Sequence, residues 1–139
     1  MITSTISIQA KAANIWQALT HKEEFKQWYF DIPDFELSVG STFDFYEPGD
    51  EKKYLHRCTL LEIIPNKKLS YTWTHPDYSK GITTVTWLLE EKNEITEVTL
   101  HHQGLNHIQD AGSQFAPENY QQGWDEILAN LKKYLIKTV

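Results

Sequence analysis

The sequence predicts an α+β fold, in which a curved antiparallel sheet packs on one long C-terminal helix. Three observations predict it. Between Phe35 and Gln103 the hydrophobic period is two almost throughout, the signature of strands with one buried face. Tyr120, Trp124, Ile127, Leu128, Leu131 and Leu135 fall at offsets 0, 4, 7, 8, 11 and 15, one stripe along a helix of about 20 residues. And 139 residues, with 40% hydrophobic and 23% charged side chains and no Gly-, Pro- or Ser-rich linker, suit a single domain over 1–139.

Taken in order, Ile2 to Ala10 alternates and reads as a first strand. Ile15, Trp16 and Leu19 switch to helical spacing, giving a short helix from about Ala13 to Leu19. Thr20 with Glu23 three residues later has the pattern of a capping box for a second short helix carrying Phe25 and Trp28. Phe35-Leu37-Val39, a Gly40-Ser41 turn and Phe43-Phe45 read as a hairpin. A polar turn at 49–53 precedes a strand from about Tyr54 to Ile64, closed by Pro65-Asn66. Leu69-Tyr71-Trp73 forms the next strand, and His75 to Gly81 a loop. Val85-Trp87-Leu89 and Val98-Leu100-His102 make a hairpin around Lys92-Asn93, Gly104 to Ser113 reads as loop, and Pro117 suits the first turn of the last helix. Gly123, inside that helix, is expected to let it approach the sheet closely. The total is six or seven strands.

Composition narrows the function. No apolar run approaches the roughly 20 residues of a membrane helix, and the first residues lack the basic and apolar regions of a signal peptide. With a single Cys58, this points to a reducing, cytoplasmic setting. A net charge of −6 with Arg57 as the one arginine disfavours nucleic acid. No phosphate-binding glycine loop and no Gly-x-Ser-x-Gly elbow occurs, so no cofactor is expected. Of His101, His102 and His107, the first two are neighbours on a strand and point to opposite faces, which argues against a shared metal. Cys58 reads as a small buried hydrophobe. Glu90, Glu91, Glu94 and Glu97 around the hairpin turn read as a solvated edge.

The order of elements, with particular residues, resembles the activator of Hsp90 ATPase homologue-like family of the START-like (SRPBCC) superfamily. Ile15-Trp16-Gln17-Ala18-Leu19-Thr20 looks like its first-helix motif and Trp28-Tyr29 like its aromatic pair after the second helix. Leu61-Glu62-Ile63 with Leu69-Ser70-Tyr71-Thr72-Trp73 resembles its central strands. Thr99 to Leu105, then Gly123-Trp124 with Leu128 and Leu131, resembles its last strand and helix. The resemblance implies a helix-grip fold with a cavity between sheet and C-terminal helix.

Strand parity and helix phase then name the side chains expected to line such a cavity: Tyr71, Trp73, Val85, Trp87, Val98, Leu100 and His102 from the sheet, and Trp124, Ile127 and Leu128 from the helix. His102 faces inward, as structure or as a polar anchor or proton-transfer group. Trp28 and Tyr29 form a possible gate. The expected function is binding of a small apolar or amphipathic ligand. The alternative implied by the family is a chaperone-interacting domain, although the eukaryotic activators carry an additional N-terminal domain with no counterpart here. A third class is an enzyme: some START-like relatives catalyse cyclisation or dehydration, and His102, Tyr71 or Tyr46 would then move the proton.

Overall fold

A computed structural model describes residues 1–29, 32, 35–46, 55–112 and 117–137. Its elements run β1 (Ile2–Ile8), α1 (Ala12–Thr20), α2 (Lys22–Trp28), β2 (Thr42–Tyr46), β3 (Leu55–Ile64), β4 (Lys68–Trp73), β5 (Thr83–Lys92), β6 (Ile95–Gln103), a 3-10 helix (Leu105–Ala111) and α3 (Pro117–Lys137). The six strands make one curved antiparallel sheet in the order β1-β6-β5-β4-β3-β2. This is the helix-grip arrangement, with α3 lying across the inner face and α1 and α2 between the first two strands.

The alternation explains the core. Ile8, Cys58, Leu60, Val85, Val98 and Leu100 are buried from their strands, and Leu128 and Leu131 meet them from the apolar stripe of α3. Their outward neighbours are hydroxyl-rich: Thr3, Thr5, Thr84, Thr86 and Thr99 lie on the other face. A bulge between Leu60 and Glu62 bends β3 against β4. The hairpin joining β5 and β6 turns at Asn93 and Glu94, both with positive φ (54° and 67°), a two-residue turn whose twist matches the strands. No helix among the described residues is long and apolar enough to cross a membrane.

Four local expectations are corrected. Residues 35–39 are not a strand: Phe35 is buried, but Leu37 and Val39 are exposed at 41% and 63%. Local turns hold that segment, with Ser38 N–H bonded to Glu36 O and Ser41 N–H to Ser38 O, so the alternating letters have no partner strand to serve. Thr20 closes α1 rather than capping α2, because its hydroxyl donates to Trp16 O at 2.7 Å, and His21 occupies the cap position. Residues 105–111 are helical: Leu105 and Ile108 are both buried three positions apart, the period of a 3-10 helix. Gly81 lets the β4–β5 loop come against this helix, since a Cβ there would sit 1.9 Å from the carbonyl oxygen of His107. Gly123 has no such duty, for a Cβ built on it meets nothing within 4 Å. The turn expected at 49–53, together with Phe30, Tyr54 and Ser113, lies outside the described residues.

Candidate functional site

The inner face of the sheet carries a continuous run of indole rings. Trp28 meets Trp87 edge-on at 6.5 Å between centroids, Trp87 meets Trp124 at 6.1 Å, and Trp124 meets Trp73 at 5.1 Å. Parity on β4 and β5 turns Trp73 and Trp87 inward, and the helical stripe brings Trp124 between them. These rings pack against one another between sheet and α3. Val85, Val98, Leu100 and Leu128 form the packed floor around them, and Ile127 is half-buried against it.

His102 lies at one end of this run and is fully buried, while His101 on the opposite face bonds Thr3. Its partners fix its tautomer. Trp124 Nε1–H donates to Nδ1 at 3.0 Å, so the ring proton is on Nε2 and is donated to Thr83 Oγ1 at 2.8 Å. Thr83 passes its own hydrogen to Trp73 O at 2.7 Å. Burial, with a smaller contribution from nearby His75, lowers the His102 pKa to about 3. A neutral imidazole with both nitrogens engaged is suited to holding α3 on the sheet, and poorly suited to proton transfer near neutral pH.

A second histidine repeats the arrangement. His75 Nδ1–H donates to Leu55 O at 3.2 Å, and Nε2 accepts from Tyr120 O–H at 2.7 Å and from Trp73 Nε1–H at 3.2 Å. His56 is buried beside it, its ring stacked on Phe45 with centroids 4.6 Å apart. Sequence reasoning missed His75, Thr83 and Tyr120 as parts of one polar network, and His56 as a ring packed against it. The signal for His75 was present, since it carries the parity of Tyr71 and Trp73 two residues beyond the strand end. Tyr120 likewise opens the α3 stripe.

Among the described residues, an enclosed space lies at the other end, under α2. A cavity of about 20 Å³ is walled by Leu19 of α1, by Phe25, Trp28 and Tyr29 in and just after α2, by Ile32, Phe35 and Phe43, and by Leu69, Tyr71 and Trp87 of β4 and β5. That is space for one water molecule. Of the twelve positions the sequence singled out, Tyr71, Trp87, Trp28 and Tyr29 meet here, and the other eight do not. Trp28 covers the cavity with its indole N–H tied to Ala18 O at 3.0 Å, and Phe25 packs edge-on against Phe35 at 4.9 Å. Inside, Trp87 Nε1–H donates to the Tyr71 hydroxyl at 2.9 Å. Burial pushes the Tyr71 phenol well up, with Cys58 adding to it and the bonds from Trp87 and Tyr29 opposing it. Cys58, fully buried, has its thiol pushed up by burial in the same way. Tyr46, the third tyrosine or histidine considered for proton transfer, is exposed on β2.

With this geometry in hand, comparison with known proteins gives a consistent family. The family model described as Activator of Hsp90 ATPase homolog 1-like protein matches residues 9–136. No curated protein matches the chain. Among solved structures, protein MLL2253 from Mesorhizobium loti is 23% identical with a TM-score of 0.81, covering 99% of this chain and 98% of that one. The Aha1 dimer from Colwellia psychrerythraea is 26% identical with a TM-score of 0.71, covering 94% of this chain and 92% of that one. DynU16, from the dynemicin biosynthetic locus, is 19% identical with a TM-score of 0.79 and covers 96% of this chain. This chain spans only 46% of the length of DynU16.

Proposed function

This chain belongs to the Activator of Hsp90 ATPase homolog 1-like family, and from that premise we propose that it binds one small apolar or amphipathic molecule in the cavity under α2. The single observation that carries the reading is the wall itself. Seven aromatic and three aliphatic side chains from six parts of the chain converge there without a charged group among them. Such a cluster at 20 Å³ is too small to be a filled binding site, so binding requires the wall to move.

The part best able to move is α2. It is seven residues long and carries Phe25 and Trp28 inward from one side of the cavity. Hydrogen bonds from Trp28 Nε1–H to Ala18 O and from Tyr134 O–H on α3 to Glu24 Oε1 at 2.9 Å fasten it. Swinging Trp28 aside opens the cavity without disturbing the Trp73–Trp124–His102 cluster. Trp28 and Tyr29 are thus the gate, and Tyr71 and Trp87 the inner wall.

Titration with the neutral lipophilic dye N-phenyl-1-naphthylamine tests this. One saturable site is expected, and Trp28→Ala, which enlarges the cavity, should bind the dye at least as tightly as the unaltered protein. Absence of saturable binding by both proteins would defeat the reading.

A second reading, a chaperone-interacting domain, is favoured by the family description and by the likeness to a protein called Aha1. Its test is the ATPase rate of the same organism's Hsp90 with and without this protein. Stimulation supports it, and an unchanged rate removes it.

A further inference from the structure

We propose that the cavity selects an uncharged ligand bearing a hydrogen-bond acceptor, and that Tyr71 is the residue that makes the selection. This rests on the binding reading above and adds the chemistry of the ligand to it. The starting point is the Tyr71 hydroxyl, which stands in the wall beside Trp87. A phenol has one hydrogen to give and lone pairs to accept with. Here the indole N–H of Trp87 donates to the Tyr71 oxygen at 2.9 Å and the Tyr29 hydroxyl bonds the same oxygen, which occupies the accepting side and leaves the phenol its own hydrogen to donate. Trp87 therefore orients Tyr71 as a donor. Burial keeps the phenol protonated far beyond neutral pH, so this donor is permanent.

The rest of the wall sets the charge rule. Trp28 spends its N–H on Ala18 O, the Tyr29 hydroxyl is engaged by Tyr71, and the aliphatic and phenylalanine members have nothing polar to offer. Among the described lining residues there is no Lys, Arg or His to receive an anion, and no Asp or Glu to receive a cation. The nearest carboxylate on the covering helix, Glu24, takes its hydrogen bond from Tyr134. A buried ion without a partner loses its hydration with nothing to replace it, so a carboxylate or ammonium group is rejected. A ketone, aldehyde, ester or ether oxygen, by contrast, meets the Tyr71 O–H and gains one hydrogen bond. One such bond is worth about tenfold in affinity.

Three probes of nearly equal shape separate these terms: acetophenone, which is neutral with an acceptor; ethylbenzene, neutral without one; and benzoate, a charged analogue. Dissociation constants come from ligand-observed NMR on the whole chain, with competition by N-phenyl-1-naphthylamine to locate the site. The expected order is acetophenone about tenfold tighter than ethylbenzene, with benzoate at least another tenfold weaker than ethylbenzene. Tyr71→Phe should erase the preference for acetophenone while retaining ethylbenzene. Benzoate binding as tightly as acetophenone, equal binding of acetophenone and ethylbenzene, or a ketone preference that survives Tyr71→Phe would each overturn the selection by Tyr71 and leave the cavity reading standing. Failure of all three probes and of the dye would overturn the cavity reading itself. The order in the unaltered protein decides the matter even where Tyr71→Phe is unstable.

Discussion

His102 shows what a single side chain does here and how its protonation is tied to the fold. In the neutral form Nδ1 accepts from Trp124 and Nε2 donates to Thr83. Burial, with a smaller contribution from nearby His75, disfavours the charged ring, so its pKa is lowered to about 3 against about 6.5 in an unfolded chain. Above pH 6.5 both states hold a neutral ring and nothing is lost. As pH falls below 6.5 the unfolded chain takes up a proton that the folded chain refuses, and stability drops until the folded pKa is reached. This group alone should cost roughly 2 kcal/mol between pH 6.5 and 5. His102→Leu should lower stability at pH 7 by about 1–3 kcal/mol by leaving the Trp124 N–H unpaired. The variant should also flatten the loss between pH 6.5 and 5. Denaturant unfolding at the two pH values measures both, and an unchanged slope in His102→Leu would place the titration elsewhere.

At the scale of elements, the strands were more legible than their connections. Alternation identified the inward faces of β4, β5 and β6 because a two-residue period leaves only two choices, and one of them buries Trp73, Trp87 and His102. The same rule misread residues 35–39, where Phe35, Leu37 and Val39 alternate with no neighbouring strand to pair with. Thr20 and Glu23 had the spacing of a capping box, but the hydroxyl of Thr20 found the carbonyl of Trp16 one turn back. The start of α1 is held from far away in sequence, with Ala12 N–H donating to Glu91 Oε1 at 2.6 Å, which no local pattern announces. Gly123 shows the opposite failure, a residue credited with a packing role it does not have. Because open space surrounds it, Gly123→Ala should stabilise α3 by about 1 kcal/mol, read as a rise in melting temperature. A fall would mean that α3 lies closer to its surroundings at that point than described.

For the whole molecule, the sequence announced a sheet gripping a helix, but not where the grip leaves room. Counting aromatic rings on the inner face cannot tell a lined cavity from a filled one, since the outcome depends on whether the rings meet. Trp87, Trp124 and Trp73 do meet beneath α3. The rings contributed by α2 and the segment after it, which have no period linking them to the sheet, leave about 20 Å³ instead. The proposed binding site therefore sits at one end of the inner face, and the polar network of His75, His102 and Tyr120 at the other.

The five indole N–H groups report on both ends at once. In a ¹H–¹⁵N spectrum, titration with acetophenone should shift the Trp28 and Trp87 signals along one saturable curve. The signals of Trp73 and Trp124, bonded to His75 and His102, should stay in place. No shift in any indole signal, or shifts confined to Trp73 and Trp124, would contradict a binding site under α2.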